Sequence, residues 1–307
     1  MPVSDDALSG EDTPLALHLL YELHYRGLPF VDDRWEWNPS LLALRAELEA
    51  EFEAALEQVV GPVPRDVAPN SVVIFLDRLA TGEGPSLSKW MLDHGELWHM
   101  REFAAHRSIY QLKEADPHTF GIPRLSGTPK AALVAIQRGE YGDGDPAEVH
   151  ATLFAETMQL LGLDDSYAAY LDAVPGSTLT TGNLISLFGL HRRWRGALAG
   201  HLALFEMCSV TPMARYATTL RRLGLPDRAA YFYDVHVAAD AEHEVIGRNA
   251  LAGGLAAAEP ELAGQIVFGA RALAAVEAQL ASHLMSSWSR GCSSLRQPLH
   301  EVLALSA

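Results

Sequence analysis

Asp234-Val235-His236-Val237-Ala238-Ala239-Asp240-Ala241-Glu242-His243 sets two imidazoles and a carboxylate at i, i+4 and i+7. On an α-helix those positions form one narrow stripe. Two imidazoles and a carboxylate converging on one point are a transition-metal ligand set, suited to iron, manganese or zinc. Without a metal, the same stripe belongs to an ordinary helical domain.

The rest of the chain supports the helical reading. Ala, Leu, Glu and Arg are abundant and alternating β patterns are nearly absent, so the fold class is all-α. Pro226 opens the helix that carries the stripe, and Thr211-Pro212 opens a shorter one that stops at Gly224. Upstream lies a long apolar helix over 182–209, preceded by a broken stretch over 162–181. Pro146 opens a helix to Leu161, and Pro129 opens one through Glu140 that stops at Gly142-Asp143-Gly144-Asp145. One long helix is expected over 86–115, before Asp116-Pro117, and a last one over 259–287. Near the start, Thr13 and Pro14 open a helix to Arg26, and Asn38-Pro39-Ser40 opens another that stops at Gly61-Pro62. The proline-rich stretch 62–70 is a linker. The expected organisation is an N-terminal helical extension with linker (1–70), a main domain (71–288) and a C-terminal tail (289–307).

Hydrophobic residues make up 49% of 307 positions, enough for a large core, and the formal net charge is −16. That charge argues against nucleic acid and anionic membrane as partners. The basic runs Arg192-Arg193-Trp194-Arg195 and Arg221-Arg222 read as solvated faces or an anion contact. The two cysteines, Cys208 and Cys292, are not in CxxC spacing, so a thiolate zinc site is excluded. Cys208 lies in an apolar stretch and reads as a core thiol in a reducing compartment. The opening MPVSDDALSGED has neither a basic nor an apolar signal region, and no uncharged apolar run approaches membrane-spanning length. The expectation is a cytoplasmic protein.

One helix face cannot fill a coordination sphere, so other segments must supply ligands. Glu206 sits in Leu202-Ala203-Leu204-Phe205-Glu206-Met207-Cys208, where a carboxylate is costly to bury unless paired or coordinated. His150 precedes Thr152-Leu153-Phe154, where a lone histidine more often packs than ligates. Glu114 shares a stripe with His106 and Tyr110, or is a surface residue beside Lys113. Glu140 ends its helix, where the dipole disfavours negative charge. Together with the stripe these make four carboxylates and three imidazoles on five segments. A carboxylate-bridged dinuclear site inside a helical bundle needs such a set.

The order Glu114, Glu140, His150, Glu206, then His236-x3-Asp240-x2-His243, resembles the heme-oxygenase-like diiron oxidases and oxygenases, also described as iron-containing redox enzymes. Within that family it is most similar to the N-oxygenating branch that acts in streptozotocin biosynthesis. The runs His106-Arg107-Ser108-Ile109-Tyr110-Gln111-Leu112-Lys113-Glu114 and Gly139-Glu140-Tyr141-Gly142-Asp143-Gly144 belong to the same likeness, which covers about residues 71–288. The resemblance implies a heme-oxygenase-like helical bundle with an N-terminal helical extension. It implies two iron ions cycling between Fe(II) and Fe(III), dioxygen as co-substrate through a bridging peroxide, and an external reductant. Glu114, His150 and His243 would bind one iron, His236 and Asp240 the other, Glu206 would bridge, and Glu140 would ligate only in some states. Asp234, Tyr110 and His106 are candidates to orient the imidazoles.

The resemblance admits N-oxygenation of an amine- or guanidine-type nitrogen, favoured by Glu140, or oxidative carbon–carbon cleavage or desaturation of an amino or fatty acid. Heme handling would need a proximal histidine near the chain start, where His18 and His24 stand. A ferritin-like site would use Glu96-Leu97-Trp98-His99 and leave Glu140 and His150 unused. A non-catalytic helical binding protein is the remaining alternative. Partners expected are a small-molecule substrate lined by residues such as Trp98, Phe103, Tyr110 and Phe154, and an unidentified electron donor. The N-terminal helices, where Leu41, Leu44, Leu48, Phe52, Leu56 and Val59 form an apolar stripe, are expected either to pack on the body or to form a homodimer.

Overall fold

The computed structural model describes residues 6–82 and 84–299. The all-α expectation holds, with no strand among the described residues. The helices are α1 (Asp12–Glu22), α2 (Pro39–Val60), α3 (Val72–Ala80), α4 (Leu87–His94), α5 (Leu97–Gln111), α6 (Asp116–Thr119) and α7 (Gly127–Glu140). They continue with α8 (His150–Leu160), α9 (Gly176–Leu190), α10 (Arg195–Arg222), α11 (Asp227–Val245), α12 (Gly254–Ala258) and α13 (Ala263–Trp288). A π-helical segment, Ile246–Gly253, joins α11 to α12.

Local signals set several boundaries as expected. The Asn38 side chain accepts from the Ser40 and Leu41 amides to open α2, and Gly61, at φ 76°, closes it. Pro226 caps α11. Other boundaries differ. The helix expected over 86–115 breaks at Gly95, whose backbone turns extended and where a Cβ would stand 2.3 Å from the Met91 carbonyl oxygen. Glu96 and His99 then form a capping box that opens α5. The apolar helix expected over 182–209 is two helices parted at His191, where the Arg124 guanidinium donates to the Gly189 and Leu190 carbonyls. Pro212 opens no helix but lies inside α10. Burial of Met213, Tyr216, Ala217 and Leu220 on the following turns outweighs the one backbone hydrogen bond that proline forfeits.

Small residues let the two longest helices touch. A Cβ on Gly200 of α10 would stand 1.9 Å from the Ile266 carbonyl oxygen, and one on Gly269 of α13 2.0 Å from that of Ala197. Helix α9 is buried along almost its whole length. Two of its polar side chains tie it to the N-terminal region: Thr180 donates to the Leu8 carbonyl and Asn183 to that of Pro14, both at 2.8 Å. Leu17 and Tyr21 of α1 and Phe52 and Leu56 of α2 share a core with Leu187, Phe188 and Phe268. On α2, Leu48, Phe52 and Leu56 are buried, whereas Leu44 and Val59 are exposed. At the other end, Glu102 accepts from Trp288 Nε1, Ser294 N and Ser294 Oγ, pinning the chain after α13. Residues 300–307 of the expected tail, and 1–5 of the extension, lie outside the described residues.

Arg192–Arg222 is long and apolar enough by composition to cross a membrane, but Glu206 and Arg215 interrupt it, so it is not an uncharged run, and 61% of its most apolar window is buried within the bundle. One expectation is corrected. Cys208 is not a core thiol: it is exposed, in a concave wall crowded enough that burial pushes its thiol up to about 11.

Gly200→Ala should lower stability by about 1–3 kcal/mol through overpacking. Gly182→Ala, with no heavy atom near the added methyl, should raise it by about 0.5–1 kcal/mol. Thermal unfolding followed by helical circular dichroism reads both signs.

Candidate metal centre

Five segments bring the seven candidate residues together. Glu114 is carried not by α5 but by the turn after it, Glu140 by the last residue of α7, His150 by the first of α8 and Glu206 by the middle of α10. His236, Asp240 and His243 come from α11 as one stripe. All seven are buried.

They form two groups, each with one ligand atom per residue and all such atoms within 4.8 Å of one another. One holds Glu114, Glu140, His150 and His236, the other Glu140, Glu206, Asp240 and His243. His236 and His243 thus face different groups although one helix carries both. The partition otherwise departs from that implied by the resemblance. His243 joins Asp240 rather than Glu114 and His150, His236 joins Glu114, and the carboxylate common to both groups is Glu140 rather than Glu206. The reason is that Glu140 ends α7 directly against α8 and α11. His150 Nδ1 lies 2.7 Å from Glu140 Oε2, and His243 Nδ1 lies 3.6 Å from Glu140 Oε1 and 3.5 Å from Glu206 Oε2. His236 Nε2 stands 3.4 Å from Glu114 Oε2.

Buried polar atoms are normally hydrogen-bonded, and here they are not. Both carboxylate oxygens of Glu114 and of Asp240, Glu140 Oε2, His150 Nδ1, His236 Nε2 and His243 Nδ1 have no hydrogen-bond partner. Even the 2.7 Å approach of His150 to Glu140 lacks hydrogen-bond alignment. The lone pairs converge on one another around a void of about 10 Å³ lined by Glu114, Glu140, Glu206, His236 and Asp240. That pattern fits divalent cations with mixed carboxylate and imidazole ligands.

Charge inside the cluster is strongly coupled. Burial pushes Glu140 up, but the His150, His236 and His243 imidazoles outweigh it and bring it down to about 2. Burial, with Glu140 and Asp240 nearby, pushes Glu206 well above the usual carboxylate range. Burial also raises Asp240. His236 is opposed by burial yet raised to about 10 by Glu114, Glu140 and Asp240. Its Nδ1 lies 2.8 Å from the Phe232 carbonyl oxygen, so that nitrogen donates and Nε2 is turned to the cluster.

The candidate orienting residues divide. Tyr110 lines the void. Asp234 is instead paired with Arg221 on the surface, and His106 bonds Thr178 and Ser294 away from the cluster. Glu96 and His99 cap α5, and His99 packs among Trp90, Trp98 and Trp288, so the ferritin-like pair does not join the cluster. His18 and His24 are engaged by Glu22 and by Glu36 and Arg45.

Three features escaped sequence reasoning. A Cβ on Gly139 would stand 2.7 Å from His243 Nε2, so this glycine makes room for the imidazole; its signal was a glycine inside a helix beside Glu140. His118 lines the void and contacts His201 at 3.2 Å. Lys113, read as a surface neighbour of Glu114, is buried and ion-paired with Glu22 of α1. Arg26 donates to the Leu112 carbonyl at 2.8 Å, so the N-terminal region clamps the turn bearing Glu114 from both preceding residues.

The model of one protein family, described as iron-containing redox enzyme, matches residues 101–278. That span contains all seven residues. No curated protein matches the chain.

The sign of the His236 shift predicts a pH dependence for protein stripped of metal. Its pKa is raised, so the stability it contributes is fully present below the ordinary 6.5 and is lost as pH rises through about 10. Glu206, also raised, acts in the same direction. Thermal midpoints of chelator-treated protein should fall across that window, and His236→Gln should flatten the slope; a midpoint that rises with pH there would contradict it.

Proposed function

This chain belongs to the family of iron-containing redox enzymes, and from that premise we propose that its seven clustered side chains hold two iron ions that activate dioxygen. The observation that carries the reading is the set of buried, unpartnered ligand atoms shared between two groups that meet at Glu140. Four buried carboxylates bear a formal charge of −4, which two divalent ions neutralise. Without cations such a cluster is expensive to bury.

In this reading Glu114, His150 and His236 serve one ion, Glu206, Asp240 and His243 the other, and Glu140 lies between them. The irons would supply electrons to dioxygen, with an external donor restoring them. The protein's own part is to position and to exclude water. The Phe232 carbonyl holds the His236 ring. Burial and the neighbouring Glu114, Glu140 and Glu206 push the Tyr110 hydroxyl well above its ordinary value, so it keeps its proton beside the void. It can then donate a hydrogen bond toward charge that develops there.

The reaction proposed is N-oxygenation of an amine- or guanidine-type nitrogen of a small metabolite. Its support is the position of Glu140, the extra carboxylate of the N-oxygenating branch in the resemblance, at the junction of the two groups. A second reading, oxidative carbon–carbon cleavage or desaturation by the same site, is favoured by the apolar walls of the neighbouring cavity.

Anaerobic titration with ferrous ion should load two irons per chain. His150→Ala and Asp240→Ala should each lose at least one, and Gly139→Ala should weaken uptake by displacing His243. His99→Ala should still load two. Wild-type protein that takes up no iron, or iron lost only in His99→Ala, would sink the assignment. Mass analysis of products then separates oxygen gained at nitrogen from loss of carbon or hydrogen.

A further inference from the structure

Beside the cluster lies a cavity of about 530 Å³, in the range of pockets that enclose a whole small molecule. Phe205 lines both the cavity and the void at the cluster, so one side chain forms part of the wall between them. Three further lining residues stand three positions from a clustered residue on the same stretch of chain: Gln111 before Glu114, Tyr233 before His236 and Ser209 after Glu206. These residues mark the wall nearest the cluster. Away from it, leucine, alanine, methionine and proline side chains dominate.

The polar groups of this cavity have a definite balance. Among the described residues, the charged ones that line it, Arg107 and Glu277, are bonded to each other at 3.0 and 2.5 Å. Among the described lining residues no charge is left unpaired for a ligand. By contrast, Tyr233 Oη and Gln111 Oε1 are buried with no hydrogen-bond partner. Tyr233 is fully buried, and burial holds its hydroxyl protonated, so it can donate. Gln111 Oε1 can only accept. Leaving both unpaired is costly, and both lie at the end of the cavity nearest the cluster.

We propose that this cavity is the substrate chamber of the site and takes a mainly apolar small molecule with one uncharged head group that accepts from Tyr233 and donates to Gln111. The head is therefore a neutral amine, a primary amide or a hydroxyl, set toward the cluster, with the apolar body along α10 and α13. The inference rests on the proposed function for its chemistry but on the cavity alone for its binding. It also agrees with N-oxygenation, because only a free-base amine offers the lone pair that takes oxygen.

The test is calorimetric binding of probes of one chain length to metal-free and iron-loaded protein: octanol, octanamide, octanoate, octyltrimethylammonium and octane. Octanol and octanamide should bind at least about tenfold tighter than either ion and than octane. Tyr233→Phe should weaken octanol about tenfold and leave octane unchanged, and Ala278→Trp, which fills the chamber, should abolish binding while iron per chain stays at the wild-type level. Tighter binding of either ion, no binding of any probe, or octanol binding that neither variant alters would overturn the proposal. Octanol binding with no iron uptake would overturn the diiron function and leave the chamber standing; iron uptake without octanol binding would do the reverse.

Discussion

Four carboxylates and three imidazoles crowd the centre of an otherwise apolar bundle, and the surrounding structure is arranged to hold them there. Isolated charges in such a place are expelled, neutralised or paired. Here they are turned toward one another with their lone pairs unpartnered. Glu140 falls to about 2 while Glu206 is driven upward, so the cluster divides its protons unequally when cations are absent.

The scaffold meets this demand with short-range geometry. Breaks in the helices matter as much as the helices: Glu114 sits in the turn after α5, Glu140 at the end of α7 and His150 at the start of α8. Helix ends add three directions of approach to those offered by Glu206 inside α10 and by the stripe on α11. Gly139 removes the one Cβ that would collide with His243. The N-terminal helix, although outside the matched family span, anchors the turn before Glu114 through the Glu22–Lys113 pair and the Arg26 hydrogen bond to Leu112.

The cluster and the adjoining cavity divide polar and apolar work. The cluster is closed, with room for little more than a water-sized centre, whereas the cavity beyond Phe205 is large and apolar. Helix α10 serves both, presenting Glu206 to one side and Cys208, Pro212 and Met213 to the other. A long helix that resembles a membrane span by composition is thereby explained as a wall shared by two compartments.

Much of this was legible in the sequence. Helical periodicity, the Asn38, Pro226 and Gly61 boundary signals, and the HxxxDxxH stripe are local properties, and local chemistry encodes them. Glu206 was legible as a carboxylate in an apolar stretch, whereas Glu114, Glu140 and His150 were weak signals singly and were joined to the stripe by the family resemblance; the fold brings all seven together. What the sequence did not contain was proximity. That Glu140, not Glu206, is common to both groups depends on how α7 ends against α8 and α11. That Lys113 is buried depends on a contact across the fold with α1, and that Cys208 is exposed depends on the cavity beside α10. The unpaired state of Gln111 and Tyr233 likewise exists only once the chain has closed around them. Spacing along a helix decides which residues share a face, whereas packing between helices decides what that face meets.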